Sequence, residues 1–177
     1  MIRYLLALTV CGFLGLGGSN AEASDFFPET FSRDGREFRM FGKGTREELF
    51  VDLYTCALYV EGERGGAGDI IREDRASVVR LQVHGSPPTA IPESWRQVLR
   101  QELNDRMVAR VRKRYRDFEA GDRVEVTYLP GGHTVVAANG KTLLSDPGFG
   151  LMEEMLRQWI GAEPVSASLK ESLLGGR

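Results

Sequence analysis

Cysteine and histidine are scarce. The chain has two of each, Cys11 and Cys56, His84 and His133. That is too few for a zinc finger or a disulfide scaffold. Neither histidine has a second histidine or a cysteine at ligand spacing, so no metal and no cofactor is expected. Neither sign of charge dominates: Lys and Arg number 23, Asp and Glu 25, and the net charge is −2. Nucleic acid is therefore a poor partner, because neutralising phosphates takes a strongly basic domain. No Gly-x-Ser-x-Gly elbow marks a hydrolase, and no internal repeat or low-complexity linker divides the chain. The fragment Gly42-Lys43-Gly44 lacks the third glycine and the following helix of a nucleotide loop.

What is present begins with an export signal. Arg3 precedes an apolar run from Tyr4 to Leu16, and Ala21-Glu22-Ala23 supplies a small-x-small cleavage pattern. Residues 1–23 read as a signal peptide cleaved after Ala23. The run is shorter than the roughly 20 residues of a membrane span. An uncleaved anchor is one alternative. A lipoprotein signal at Cys11 is another, disfavoured by the bulk of Val10. Residues 24–177 form the expected periplasmic or secreted domain, long enough for one real core. Cys56 is its single cysteine, inside the apolar run Leu53 to Val60, and reads as a small core hydrophobe rather than a nucleophile.

The patterning alternates between strand and helix. Phe31 to Phe38 reads as a hairpin about Asp34-Gly35. Phe50 to Val60 reads as a central strand, Asp69 to Glu73 as a short helix, and Ala76 to His84 as a half-buried strand. A long helix is expected from about Pro92 to Phe118, with an apolar stripe that includes Trp95, Leu99, Leu103 and Met107. Its other face is basic, with Arg106, Arg110 and Arg114 prominent among several arginines and tempered by Glu93, Glu102 and Asp105. A solvated face is the default reading; an anionic membrane surface or a partner protein is the alternative. A three-stranded meander follows over Asp122–Leu129, His133–Ala138 and Lys141–Leu144. Asp146-Pro147 has the form of a helix start, Gly161 would end that helix, and Ser166 would cap a last one. The order gives an α+β protein: an antiparallel sheet covered on one face by helices.

Several segments, in order, resemble the chalcone isomerase superfamily, in particular its bacterial secreted chalcone isomerase-like members. They are Phe27-Pro28-Glu29-Thr30, the Asp34-Gly35 turn, Gly42-Lys43-Gly44-Thr45-Arg46, Ala57-Leu58-Tyr59, Gly121-Asp122-Arg123-Val124, Asn139-Gly140-Lys141 and Trp159-Ile160-Gly161. The resemblance spans residues 26–174 and implies an open-faced β-sandwich. It also implies a site. The family's isomerases close a phenolate onto an enone, and their glycine-segment arginine matches Arg46. Their strand threonine falls on Tyr54, their helix Ser/Thr near Gln158, and no Tyr or Asn occupies Gly85 to Arg96. With one of five positions kept, flavanone-forming catalysis lacks the donors it needs.

Fatty-acid-binding relatives in the superfamily clamp a carboxylate with the equivalent arginine and a nearby tyrosine. The resemblance therefore implies a non-catalytic holder of a small amphipathic carboxylate, with Arg46 and Tyr54 as the clamp, Tyr59 as second choice and Gln158 nearby. An acyl chain of roughly ten methylenes could supply about 8 kcal/mol before ordering costs. Phe50, Leu53, Met107, Val111, Leu151, Met155 and Trp159 are apolar residues that could line the cleft or equally be plain core. Three alternatives stand beside this reading. Arg46 could simply pair with Glu47, Glu48 or Asp52 at the sheet rim. The protein could be an intramolecular lyase or isomerase on another substrate, with Arg46 as electrophile and Tyr54 as proton donor. It could also be an envelope interaction module using Arg106, Arg110 and Arg114.

Overall fold

The structure is a computed structural model that describes residues 26–48, 50–63, 65–72, 74–85, 113 and 117–176. The elements are β1 (Thr30–Arg33), β2 (Arg36–Glu48), β3 (Val51–Glu61), α1 (Ala67–Arg72), β4 (Ser77–Val83), β5 (Arg123–Tyr128), β6 (His133–Ala138), β7 (Lys141–Pro147), α2 (Gly150–Ile160) and α3 (Ala167–Leu173). The strands form one seven-stranded sheet in sequence order, with every neighbouring pair antiparallel. The long helix expected over Pro92–Phe118 falls almost wholly outside the described residues, and so do Arg106, Arg110, Arg114 and the signal segment.

Turn chemistry sets the hairpins. Asp34 and Gly35, and again Asn139 and Gly140, all sit at positive φ, the backbone that matches the twist of the flanking strands. One sheet face carries Cys56, Leu58, Val60, Val79, Val126 and Leu144 against the buried stripe of α2 and against Leu169 and Leu173 of α3. That is the main core. Cys56 is fully buried within it, as its apolar run predicts.

The opposite face holds a smaller cluster of Phe38, Met40, Ala57, Tyr59, Ala76 and Val78, with Phe31 packed on it. Here the sheet curls. Arg33 on β1 contacts Glu125 on β5 at 2.6 Å, although four strand spacings of about 4.8 Å would part these strands in a flat sheet. Glu125 also accepts from Arg80 Nε at 2.9 Å, and the Arg80 guanidinium lies 4.0 Å from the Phe31 ring centroid. Burial alone would raise the Glu125 pKa; the hydrogen bonds and charges of Arg33 and Arg80 outweigh it and hold the carboxyl below its ordinary value. This satisfied trio pins the first hairpin over the sheet.

Three local expectations are corrected. Asp146-Pro147 does not start a helix: β7 runs through Pro147, with Asp146 opposite Thr134. Strand pairing takes the residues that a helix cap would have used. Thr134 Oγ1 donates to Gly148 O at 2.8 Å, the chain turns at Gly148 with φ +79, and α2 begins at Gly150 with no side-chain cap. Phe50 is not in β3 but in the turn before it, at φ +65 and fully exposed. The short helix begins earlier than expected, at Ala67, with Asp69 Oδ2 accepting from Gly66 N. Ser166 does cap α3, accepting from Leu169 N at 3.2 Å.

Candidate functional site

The site's position follows from one irregularity. Met40 pairs with Tyr59, but Gly42 pairs with Leu58, so Phe41 is an extra residue in β2. Side chains alternate across a strand, and one inserted residue reverses which face the rest present. Phe41 itself joins the helix-side core. Beyond it Gly42, Gly44 and Arg46 lie opposite Leu58, Cys56 and Tyr54, on the helix side.

The two glycines are a bed for α3. A Cβ on Gly42 would lie 2.3 Å from Ser172 O and 2.4 Å from Leu173 O, and one on Gly44 would lie 2.5 Å from Ser172 Cβ. Glycine inside a strand often marks such a close approach. Gly42-Lys43-Gly44 is therefore a packing device in a strand, and no phosphate loop.

Arg46 comes next on that face and meets the α2–α3 linker. Its side chain is 15% exposed, and Nη2 is 3.3 Å from Glu48 Oε2, whose side chain is 53% exposed. Nη1 donates to Val165 O at 2.7 Å. Val165 N in turn donates to Gln158 O at 2.8 Å, and Lys170 Nζ donates to Gly161 O at 2.7 Å, closing the linker. Across the strand pair from Arg46 is Tyr54, whose hydroxyl accepts from Trp159 Nε1 at 3.3 Å.

The structure thus brings Arg46, Tyr54 and the Gln158 backbone together. Tyr59 stays apart: it is buried in the cluster on the opposite face, because it is an odd number of residues from Tyr54. Phe50 does not line a cleft; it faces solvent. Leu151, Met155 and Trp159 belong to the main core. The rim pairing of Arg46 exists, with Glu48 as the partner. Val165 was missed, since a backbone carbonyl leaves no trace in a side-chain pattern.

A guanidinium offers five N–H donors in a plane. The carbonyl of Val165 fixes one edge, and an exposed, exchangeable carboxylate takes another. Glu48 meets the guanidinium through one oxygen, at Nη2, a charge-assisted contact of the kind carboxylates make with guanidinium groups. An open depression of about 680 Å³ lies at the other end of the same strand pair, lined by Glu29, Glu37, Glu61, Glu63 and Arg39 among others. Its excess of carboxylates suits it poorly to an anionic guest. No group of three or more His, Cys, Asp or Glu able to hold a metal occurs among the described residues. His84 Nε2 and Thr55 Oγ1 are 2.7 Å apart, and His133 Nδ1 and Ser145 Oγ 3.1 Å apart.

Comparison with known proteins bears on the fold. A family model described as chalcone isomerase-like matches residues 23–175. No protein of curated description matches the sequence. Among solved structures, a fatty-acid binding protein of Arabidopsis thaliana (AtFAP1) superposes with a TM-score of 0.54 at 19% identity, over 84% of this chain and 90% of its own.

Proposed function

Because the chain belongs to the chalcone isomerase-like family, we propose that it is a non-catalytic holder of a fatty acid or another small amphipathic carboxylate. The export signal in its sequence supports a periplasmic or secreted setting. The observation that carries the reading is the state of Arg46: a largely buried guanidinium, oriented by the Val165 carbonyl, beside Tyr54, with the exposed Glu48 as its counter-charge among the described residues. A guanidinium keeps its charge at any working pH, and a partly desolvated one favours an anion. The fatty-acid binding described for the structural neighbour is consistent with that guest.

The test is calorimetric titration of delipidated protein with a medium-chain fatty acid, comparing the parent with Arg46→Ala and Arg46→Lys. Binding should fall at least about tenfold in Arg46→Ala, the loss of one charge-assisted contact. Arg46→Lys should recover part of it, as a point charge without the fork. Equal binding by all three, or none by the parent, overturns the proposal. Urea denaturation of the same variants separates a clamp from a linker tie: a residue that merely anchors Val165 lowers stability and leaves affinity unchanged. Incubation with chalcones and other enones, followed by absorbance, tests the absence of turnover; conversion above buffer refutes it.

A further inference from the structure

We propose that Trp159 is a positioning residue for the ligand's headgroup: its indole N–H holds the Tyr54 hydroxyl as a hydrogen-bond donor to a carboxylate on Arg46, so that the site selects an acid over the matching alcohol. The inference rests on the carboxylate-holder reading and names what sets its headgroup preference.

The chemistry of one contact carries it. Trp159 Nε1 lies 3.3 Å from the Tyr54 hydroxyl oxygen. An indole nitrogen only donates, whereas a phenol hydroxyl both donates and accepts. The contact therefore has a single polarity, with Trp159 giving the proton and Tyr54 receiving it. The hydroxyl has one proton of its own, and that proton cannot lie along the line on which its oxygen accepts. Tyr54 must donate away from the indole. Trp159 is also the fixed member of the pair. It is 1% exposed in the main core, while Tyr54 is half-buried at that core's edge. The buried ring thus sets the direction of the more exposed hydroxyl.

The sheet brings that hydroxyl to Arg46. Tyr54 is the direct cross-strand partner of Arg46, and such partners hold their Cβ atoms about 5 Å apart, so both side chains can reach one headgroup. Arg46 has donors only: Nη1 serves Val165 O and Nη2 meets Glu48. A tyrosine held as a donor makes the pair a donor-only site. A carboxylate, all acceptor, matches it. An alcohol brings a proton of its own and fewer lone pairs, and leaves a donor unmatched. A freely turning hydroxyl would adapt to either guest; one that already accepts from an indole does not.

The test is calorimetric titration of the delipidated full chain with octanoic acid and with 1-octanol. In Trp159→Phe, affinity for the acid should fall about tenfold, the worth of one hydrogen bond to a charged group. Affinity for the alcohol should stay at the parent value, so the preference narrows by the same factor. Tyr54→Phe should lose a similar amount, and adding Trp159→Phe to it should cost less than about twofold more, because the indole acts through the hydroxyl. Should Trp159→Phe fail to fold by circular dichroism, benzothienylalanine at position 159 in a Trp95→Phe background keeps the ring shape, removes the N–H and carries the same expectations. An equal fall for both guests, additive losses in the double variant, or unchanged acid affinity overturns the inference and leaves Trp159 as core packing. Acid binding that depends on Arg46 but not on Trp159 defeats this inference alone. No acid binding by the parent defeats the holder reading and this inference with it.

Discussion

Replacing Gly42 or Gly44 with alanine tests the packing that frames the site. At Gly42 the new Cβ would meet Ser172 O and Leu173 O at 2.3 and 2.4 Å, a collision with backbone that no rotamer relieves. α3 must shift by about 1 Å, and overpacking of this kind costs about 1–3 kcal/mol. The ceiling is loss of the docked helix. Leu169 and Leu173 are 0% and 1% exposed, and two fully buried leucines are worth about 3–6 kcal/mol. Alanine's lower unfolded-state entropy returns less than about 1 kcal/mol. At Gly44 the first collisions are with the Ser172 Cβ at 2.5 Å and Oγ at 3.1 Å, with Leu169 Cδ1 following at 3.2 Å, so Ser172→Gly should relieve much of it. Urea denaturation followed by circular dichroism should rank Gly42→Ala below Gly44→Ala in stability. Gly85→Ala, where the nearest atom is Asp52 O at 3.9 Å, should be close to neutral. Gly44→Ala with Ser172→Gly should show coupling of about 1–2 kcal/mol. If both single variants match Gly85→Ala, or the coupling is under about 0.5 kcal/mol, α3 does not rest on these glycines and the account of the site's floor is wrong.

Three further outcomes follow from the same structure. Burial pushes the Cys56 thiol well above its ordinary pKa, so Ellman's reagent at pH 8 should leave it unlabelled until urea unfolds the chain; prompt labelling of native protein would show an accessible thiol. Glu125→Gln should destabilise by about 1–3 kcal/mol at pH 7. Because its folded pKa lies below the ordinary carboxylate value near 4.5, that contribution is present above pH 4.5 and disappears as pH falls through the lower folded value. The difference between parent and Glu125→Gln denaturation curves should therefore be full at pH 7 and shrink progressively as pH is lowered below 4.5, and a pH-independent difference would contradict the ion-pair account. Glu48→Gln should tighten fatty-acid binding by several-fold, by removing the carboxylate that competes for Arg46; weaker binding in a titration would mean that Glu48 orients the guanidinium instead.

Much of the sheet was legible. Val78 to Val83 and Arg123 to Tyr128 alternate cleanly, and Asp34-Gly35 and Asn139-Gly140 mark the hairpins they form. Failures came where one signal has two physical uses. Asp146-Pro147 has the form of a helix start, yet pairing with Thr134 keeps it in the sheet. Phe50 continues an apolar run, yet occupies the turn. The Phe41 bulge left only a faint trace, two adjacent apolar residues (Met40 and Phe41) followed by a glycine that shows no face, with Arg39 and Lys43 exposed beyond them. Without that bulge Arg46 would fall on the wrong face altogether. Its principal anchor, the Val165 carbonyl, is 119 residues away in sequence, and no local pattern encodes it.

The glycine bed also constrains the path of any guest. α3 lies on β2 at Gly42 and Gly44, while Arg46 meets the linker. A carboxylate held by Arg46 with its tail directed toward Gly44 would run into Ser172 and Leu169. That direction along the strand is closed unless α3 lifts. Lifting α3 would uncover two buried leucines, whose burial is worth about as much as that of four to eight methylenes. A short acyl chain cannot offset that by burying its own methylenes. α3 is thus held over β2 by its own buried side chains, and the same one-residue bulge that aims the Arg46 guanidinium sets Gly42 and Gly44 beneath that helix.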